Sequence, residues 1–263
     1  MSLRVLDDVC YELFRKLGVV DISVSVGDKN HFDHIQEPGY FVNFPSVIPE
    51  FMIGKEKIDN KYSIILEEDA ANVYTKEELV GYIADAVFSV KYDHKSSYPK
   101  IVDSGIKLAL AEFPEMSATH IQPRLERLFK NSLTGQDVVD AGLDDEYYHY
   151  SMKSLFKTIE YAKKTIDYDK PLLDKTTKIM NELLLCIDTL PSIPFHATGK
   201  TEYATSIDKY SKKYFETLHF ESEVLDTYDG LRKTATLKKP VRVDYVKRSS
   251  LGVMKMITDT IFG

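Results

Sequence analysis

Apolar residues recur at three- and four-residue steps between positions 75 and 94. Leu79, Ile83, Val87 and Val90 make a stripe there, and Tyr82, Ala86 and Phe88 widen it. Thr75 stands three residues ahead of Glu78, the spacing of a reciprocal cap in which hydroxyl and carboxylate each take one backbone N–H. The pattern predicts a capped helix, the most strongly marked element of the chain. Ahead of it, residues 62–66 (YSIIL) form a short apolar run bounded by charge, which predicts a strand. Strand, acidic loop and apolar helix make a two-layer core on which other segments can pack.

The rest of the chain follows the same logic. Val5, Leu6, Val9, Leu13 and Phe14 predict a helix over 3–17 with Gly18 as its stop. The alternation in DISVSVG predicts a strand over 22–26. Residues 31–51 hold Pro38, Gly39, Pro45 and Pro49 and are expected to be irregular, apart from a short strand at 40–44. Further helices are expected over 101–113 and around Ile121, Leu125 and Leu128. Past a polar connection at 135–146 the pattern changes to long helices at 145–166, 171–190 and 202–225, with Pro171 suited to a first turn. Tyr203, Ile207, Tyr210, Tyr214, Phe215 and Leu218 stripe the last of these, as core or as a docking face. In the tail, Val241, Val243 and Tyr245 suggest a strand, and Leu251, Met254, Ile257 and Ile261 a short amphipathic helix.

These elements read as an α+β chain, predominantly helical. A small β region near the N-terminus packs on the central helix, and a bundle-like region follows. The expected divisions are an α+β core over 1–135, a helical region over 145–230, and a basic strand plus short helix over 231–263 that acts as a docking arm.

Composition narrows the partners. The net charge of −7 over 263 residues argues against a general nucleic-acid backbone binder, which needs a basic face. Cys10 and Cys186 are the only cysteines, which excludes a disulfide framework and a thiolate metal site and fits a reducing compartment. Acidic residues stand in MSLRVLDDVC where a signal peptide is apolar, and no stretch approaches ~18 uncharged apolar residues, so neither export nor a transmembrane segment is expected. Seventeen Tyr and thirteen Phe without Trp, in a Lys-rich chain, lean toward a phage component, and the expected location is the cytoplasm or a virus or phage particle.

Three stretches carry candidate chemistry. HFDH places His31, Asp33 and His34 within four residues, two imidazoles and a carboxylate that suit a metal, with Glu67, Glu68 and Asp69 as carboxylates that can join them. The cluster resembles the latter part of the HxHxDH motif of metallo-β-lactamase-fold hydrolases, whose first His falls here on Lys29. The strand, "EEL" and helix over 62–94 resemble the core of zinc-dependent, zincin-like peptidases, whose helix ends in HExxH. Aligned through Glu77, Glu78 and Leu79, the motif's two His positions fall on Asp85 and Ser89 and its Glu on Ala86. The resemblance implies a third ligand from a later helix, for which Glu146 is nearest, and a scaffold that has lost its water-activating carboxylate. GKT at 199–201 lacks the glycine-rich phosphate loop, because Pro194 stands at its first glycine.

The tail is the electrostatic exception. Arg232, Lys233, Lys238, Lys239, Arg242, Lys247 and Arg248 face only Asp244 within residues 231–250. With Leu251, Met254 and Ile257 behind them, they are expected to seat the tail on an acidic surface, of another protein or of a second copy. No catalytic residue and no cofactor is assigned. The expected function is a non-catalytic structural or assembly protein acting through protein–protein contacts, with a metal-dependent, peptidase-like hydrolase using the His/Asp cluster as the alternative.

Overall fold

The computed structural model describes residues 3–27, 51–58, 61–67, 74–114, 118–165 and 175–262. Among them lie α1 (Leu3–Leu17), β1 (Ile22–Gly27), β2 (Phe51–Ile58), β3 (Lys61–Glu67), α2 (Lys76–Lys95), α3 (Tyr98–Glu112) and α4 (Ala118–Asp140). They are followed by α5 (Asp144–Thr165), α6 (Lys175–Asp188), α7 (Ile193–Thr198), α8 (Thr201–Thr217), α9 (Ser222–Ala235) and α10 (Val243–Phe262). The chain is α+β and predominantly helical, with its strands near the N-terminus.

Helix α2 is the centre. Its cap is the reciprocal one that the sequence predicts: Glu78 N–H donates to Thr75 Oγ1 at 3.2 Å, and Thr75 N–H to Glu78 Oε2 at 2.8 Å. Leu79, Ile83, Val87 and Val90 are fully buried, and so are Ala84 and Ala86. A helix buried on more than one face needs neighbours on several sides. The sheet supplies one of them. Its order is β1-β3-β2, with β1 parallel to β3 and β2 antiparallel to it, so that Val24 and Ile53 flank the fully buried Ile64.

The other neighbours come close because glycine lets them. A Cβ at Gly81 would overlap the main-chain carbonyl of Glu146, so α2 and α5 touch backbone to backbone there. A Cβ at Gly105 would lie 2.5 Å from Cβ of Val246, which sets α3 against α10, and one at Gly252 would lie 2.5 Å from Thr234 Cγ2, which sets α10 against α9. Close-packed interiors leave no slack for an added methyl at such points.

The structure corrects the expected elements in five places. Strand β2 was not expected: Lys55, Glu56 and Lys57 break the alternation of an edge strand, where charge is tolerated. Helix α3 begins at Tyr98, because Pro99 occupies its first turn and starts the helix instead of breaking it. The expected helix over 202–225 is two helices. His219 adopts a left-handed φ of 56°, and Glu221 N–H donates to the buried Glu182 Oε2 at 2.9 Å, opening α9. The expected loop after residue 190 contains α7, stopped by Gly199 at φ 79°. The expected strand at 241–245 is absent. Val243 instead starts α10, a 20-residue helix whose Val246, Val253, Met254 and Ile257 are fully buried. The strand expected at 40–44 lies outside the described residues.

The expected divisions do not coincide with separate cores. Helix α4 runs through position 135, and only Ala141–Leu143 separates it from α5. One buried apolar cluster joins α2 to α5, α4 to α7, and α10 to α3.

Replacement of Gly81 by Ala forces α2 and α5 apart and is expected to lower stability by about 3 kcal/mol, the upper end of overpacking costs. Gly230→Ala is the control. Its Cβ meets only the flexible tip of Met256 at 3.3 Å, and gaining an alanine inside a helix offsets that contact. Urea denaturation of the two variants should place Gly81→Ala far below the wild type and Gly230→Ala at or slightly above it.

Candidate functional site

The positions that align with the HExxH motif lie in the middle of α2. Ala86 is fully buried and Ser89 nearly so. Asp85 is partly exposed and lines a half-open chamber of about 100 Å³. That chamber is walled by α2, α4, α5 and the α6–α7 turn, and Tyr147, Tyr150, Ser151 and Asp188 share it with Asp85. Glu146, nearest to the expected third-ligand position, touches α2 through its backbone at Gly81.

Charge in the chamber is held unevenly. Thr134 Oγ1 donates to Asp85 Oδ1 at 3.2 Å. Burial pushes the Asp85 carboxyl up to about 6, against the hydrogen bond from Thr134 and the field of Lys130. Burial, the charge of Asp85 and a partly opposing hydrogen bond with Ser151 leave the Tyr147 phenol well above its usual range. Asp188 is ion-paired with the buried Arg124, and Arg127 lies 3.9 Å from its Oδ1. Burial still raises the Asp188 carboxyl, with both arginines pulling the other way. Among the described residues no group of three or more His, Cys, Asp or Glu is placed to hold a metal ion. His31, Asp33, His34, Glu68 and Asp69 lie outside the described residues.

The tail has a different geometry from the expected arm. Arg232 lies 3.0 Å from Asp208 on α8, Lys239 pairs with Asp137 on α4, and Lys247 pairs with Glu112 on α3. The acidic surface that seats these basic residues therefore belongs to the chain itself. Met254 and Ile257 are buried in the core, and Leu251 is half-buried beside them. Lys233, Lys238 and Arg242 remain exposed and form no ion pair among the described residues. Arg248 pairs with Asp244 at 2.9 Å and stays exposed. Between these cations stands Tyr245, 41% exposed, with the guanidinium of Arg248 5.1 Å and that of Arg242 5.9 Å from its ring centre. Thr236, Leu237, Lys238, Tyr245 and Arg248 line an open groove of about 450 Å³ at this corner between α9 and α10.

Sequence reasoning missed the chamber and overlooked Tyr245 as an exposed aromatic. One signal was available: Gly81, Asp85 and Ser89 recur every fourth residue on a helix whose other faces are apolar.

Asp85→Asn tests the chamber's electrostatics. A carboxyl raised from 3.8 to about 6 contributes stability that is complete below pH ~4 and lost as pH rises through about 6. The asparagine variant loses nothing over that window. It is expected to gain on the wild type between pH 4 and pH 6.5, and to be more stable by about 1–3 kcal/mol at neutral pH. Urea melts across pH 4–8 check this, and parallel curves would contradict it.

Comparison of the chain with protein-family models, with curated proteins and with solved structures yields no match.

Proposed function

We propose that this chain is a non-catalytic structural or assembly protein that works through protein–protein contact, and that the corner between α9 and α10 is its contact surface. The observation that carries the reading is the set of cations left over there. Four of the seven tail cations are paired within the chain, while Lys233, Lys238 and Arg242 form no ion pair among the described residues, and Lys238 and Arg242 lie beside an exposed tyrosine. Tyrosine and arginine are the residue types that anchor protein interfaces. On a chain of net charge −7 such a corner is complementary to an acidic surface, a second copy of this chain included.

The zincin-like resemblance enters this reading as a scaffold without its chemistry. What supports it is the order of β3 and a capped α2, a later helix laid on α2 at Gly81, and a buried Ala86 where the motif has its general base.

Sedimentation velocity of the full chain at 0.05 M and 0.5 M salt tests the contact. Concentration-dependent association is expected at low salt and should weaken at high salt, as the Debye length falls from ~14 Å to ~4 Å. Combined Lys238→Glu and Arg242→Glu should abolish it without changing the thermal midpoint, because neither residue is buried. A compact monomer at every concentration and both salts would remove the second copy as the partner. Association that survives the double reversal would remove this corner as the surface.

A further inference from the structure

Charge is distributed unevenly along the hairpin of α9 and α10. Helix α9 has Glu223 and Asp226 in its first half and Arg232 and Lys233 in its last turn. Lys238 and Arg242 follow in the connection, Arg248 stands near the start of α10, and Asp259 near its end. Contacts of Thr234 with Ser249, Gly230 with Met256 and Thr227 with Thr260 set the two helices antiparallel. The basic stretches therefore lie together at one end of the pair, and Glu223, Asp226 and Asp259 at the other.

An open groove marks each end. The basic one is the corner at Tyr245. The acidic one, of about 380 Å³, is lined by Glu223, Thr227, Gly230, Met256, Asp259 and Thr260. Each end also carries an exposed aromatic, since Phe262 in the last turn of α10 is 78% exposed. Part of the charge is met within the chain, where Glu223 pairs with Lys175 at 2.6 Å and Arg248 with Asp244. Asp226 and Asp259 at one end, and Lys238 and Arg242 at the other, are exposed and form no ion pair among the described residues. Lys255 is exposed between the ends.

We propose that a second copy of this chain covers the outer face of the α9–α10 hairpin about a two-fold axis, hairpin antiparallel to hairpin. Lys238 and Arg242 of each copy then meet Asp226 and Asp259 of the other. The assignment rests on the corner being a contact surface, and it names what fills that surface. A charge gradient along a rod complements itself when turned end for end, whereas parallel pairing sets like charges together. A two-fold contact uses the same patch on both copies and closes, so assembly stops at two. With helices about 10 Å across and α10 about 30 Å long, the hairpin face covers on the order of 600 Å² per copy, at the lower edge of specific interfaces. The dimer is accordingly weak and sensitive to salt.

Sedimentation velocity of the full chain and three charge variants in low salt tests the pairing. The first variant combines Lys238→Glu and Arg242→Glu, the second Asp226→Lys and Asp259→Lys, and the third carries all four changes. The four residues are exposed, so thermal midpoints should match that of the wild type. The wild type should associate up to a dimer and no further. Each single-end variant should lose the dimer. The variant with all four changes should regain it, and so should an equimolar mixture of the two single-end variants. Undiminished association of the Asp226→Lys, Asp259→Lys variant would overturn the pairing while leaving the corner as a contact surface. Association retained by the Lys238→Glu, Arg242→Glu variant would overturn both. Growth of the wild type beyond a dimer, a wild-type monomer at every concentration, or failure of the exchanged charges to restore the dimer would overturn the two-fold pairing alone.

Discussion

The backbone contact between α2 and α5 at Gly81 is the constraint on which the remaining geometry rests. Where a Cβ would overlap the carbonyl of Glu146, the two helices are held nearer than side chains ordinarily allow. One turn further along α2, Asp85 lines the chamber, and Tyr147 and Ser151 line it from α5. Gly135 repeats the device on α4, where a Cβ would overlap the hydroxyl of Tyr147 and meet Pro194.

The same principle fixes the tail. Gly105 and Gly252 let α10 lie on α3 and α9, and its apolar face completes the core that α2 begins. The tail's Arg232, Lys239 and Lys247 then find carboxylates on α8, α4 and α3. Of these only Lys247 lies on α10, and its pair with Glu112 is partly solvated and contributes modestly, so burial of Val246, Val253, Met254 and Ile257 dominates the docking of α10. Two cations without a carboxylate partner among the described residues, Lys238 and Arg242, lie beside Tyr245, where the chain turns from α9 into α10.

What was legible in the sequence was local. The Thr75–Glu78 cap, the strand at 62–66 and the helix periods of α1, α2 and α5 depend on residues within one or two turns of each other, and the structure has them all. The tail misled because Val241, Val243 and Tyr245 alternate over five residues, whereas Val246, Ser250, Val253, Met254 and Ile257 hold a helical period for longer. The longer period prevailed once α3 offered it a surface. The break at His219 carries no glycine or proline signal, and β2 is disguised by its own charges. Of the chamber, Asp85 was visible as a polar residue on an otherwise apolar α2, at the first His position of the HExxH pattern. Its companions Thr134, Tyr147 and Asp188 come from three other helices, and nothing in their spacing announces that they meet.

Helix α10 is part of the core and not an arm that docks and leaves. Native-state hydrogen exchange tests this most directly, because it reports the opening free energy of each helix separately. Amides of residues 246–257 are expected to exchange with the same free energy as those of 79–90 in α2, through global unfolding alone. Exchange of 246–257 several kcal/mol more readily than α2 would contradict the account, since it would make the tail a detachable element on an otherwise complete fold.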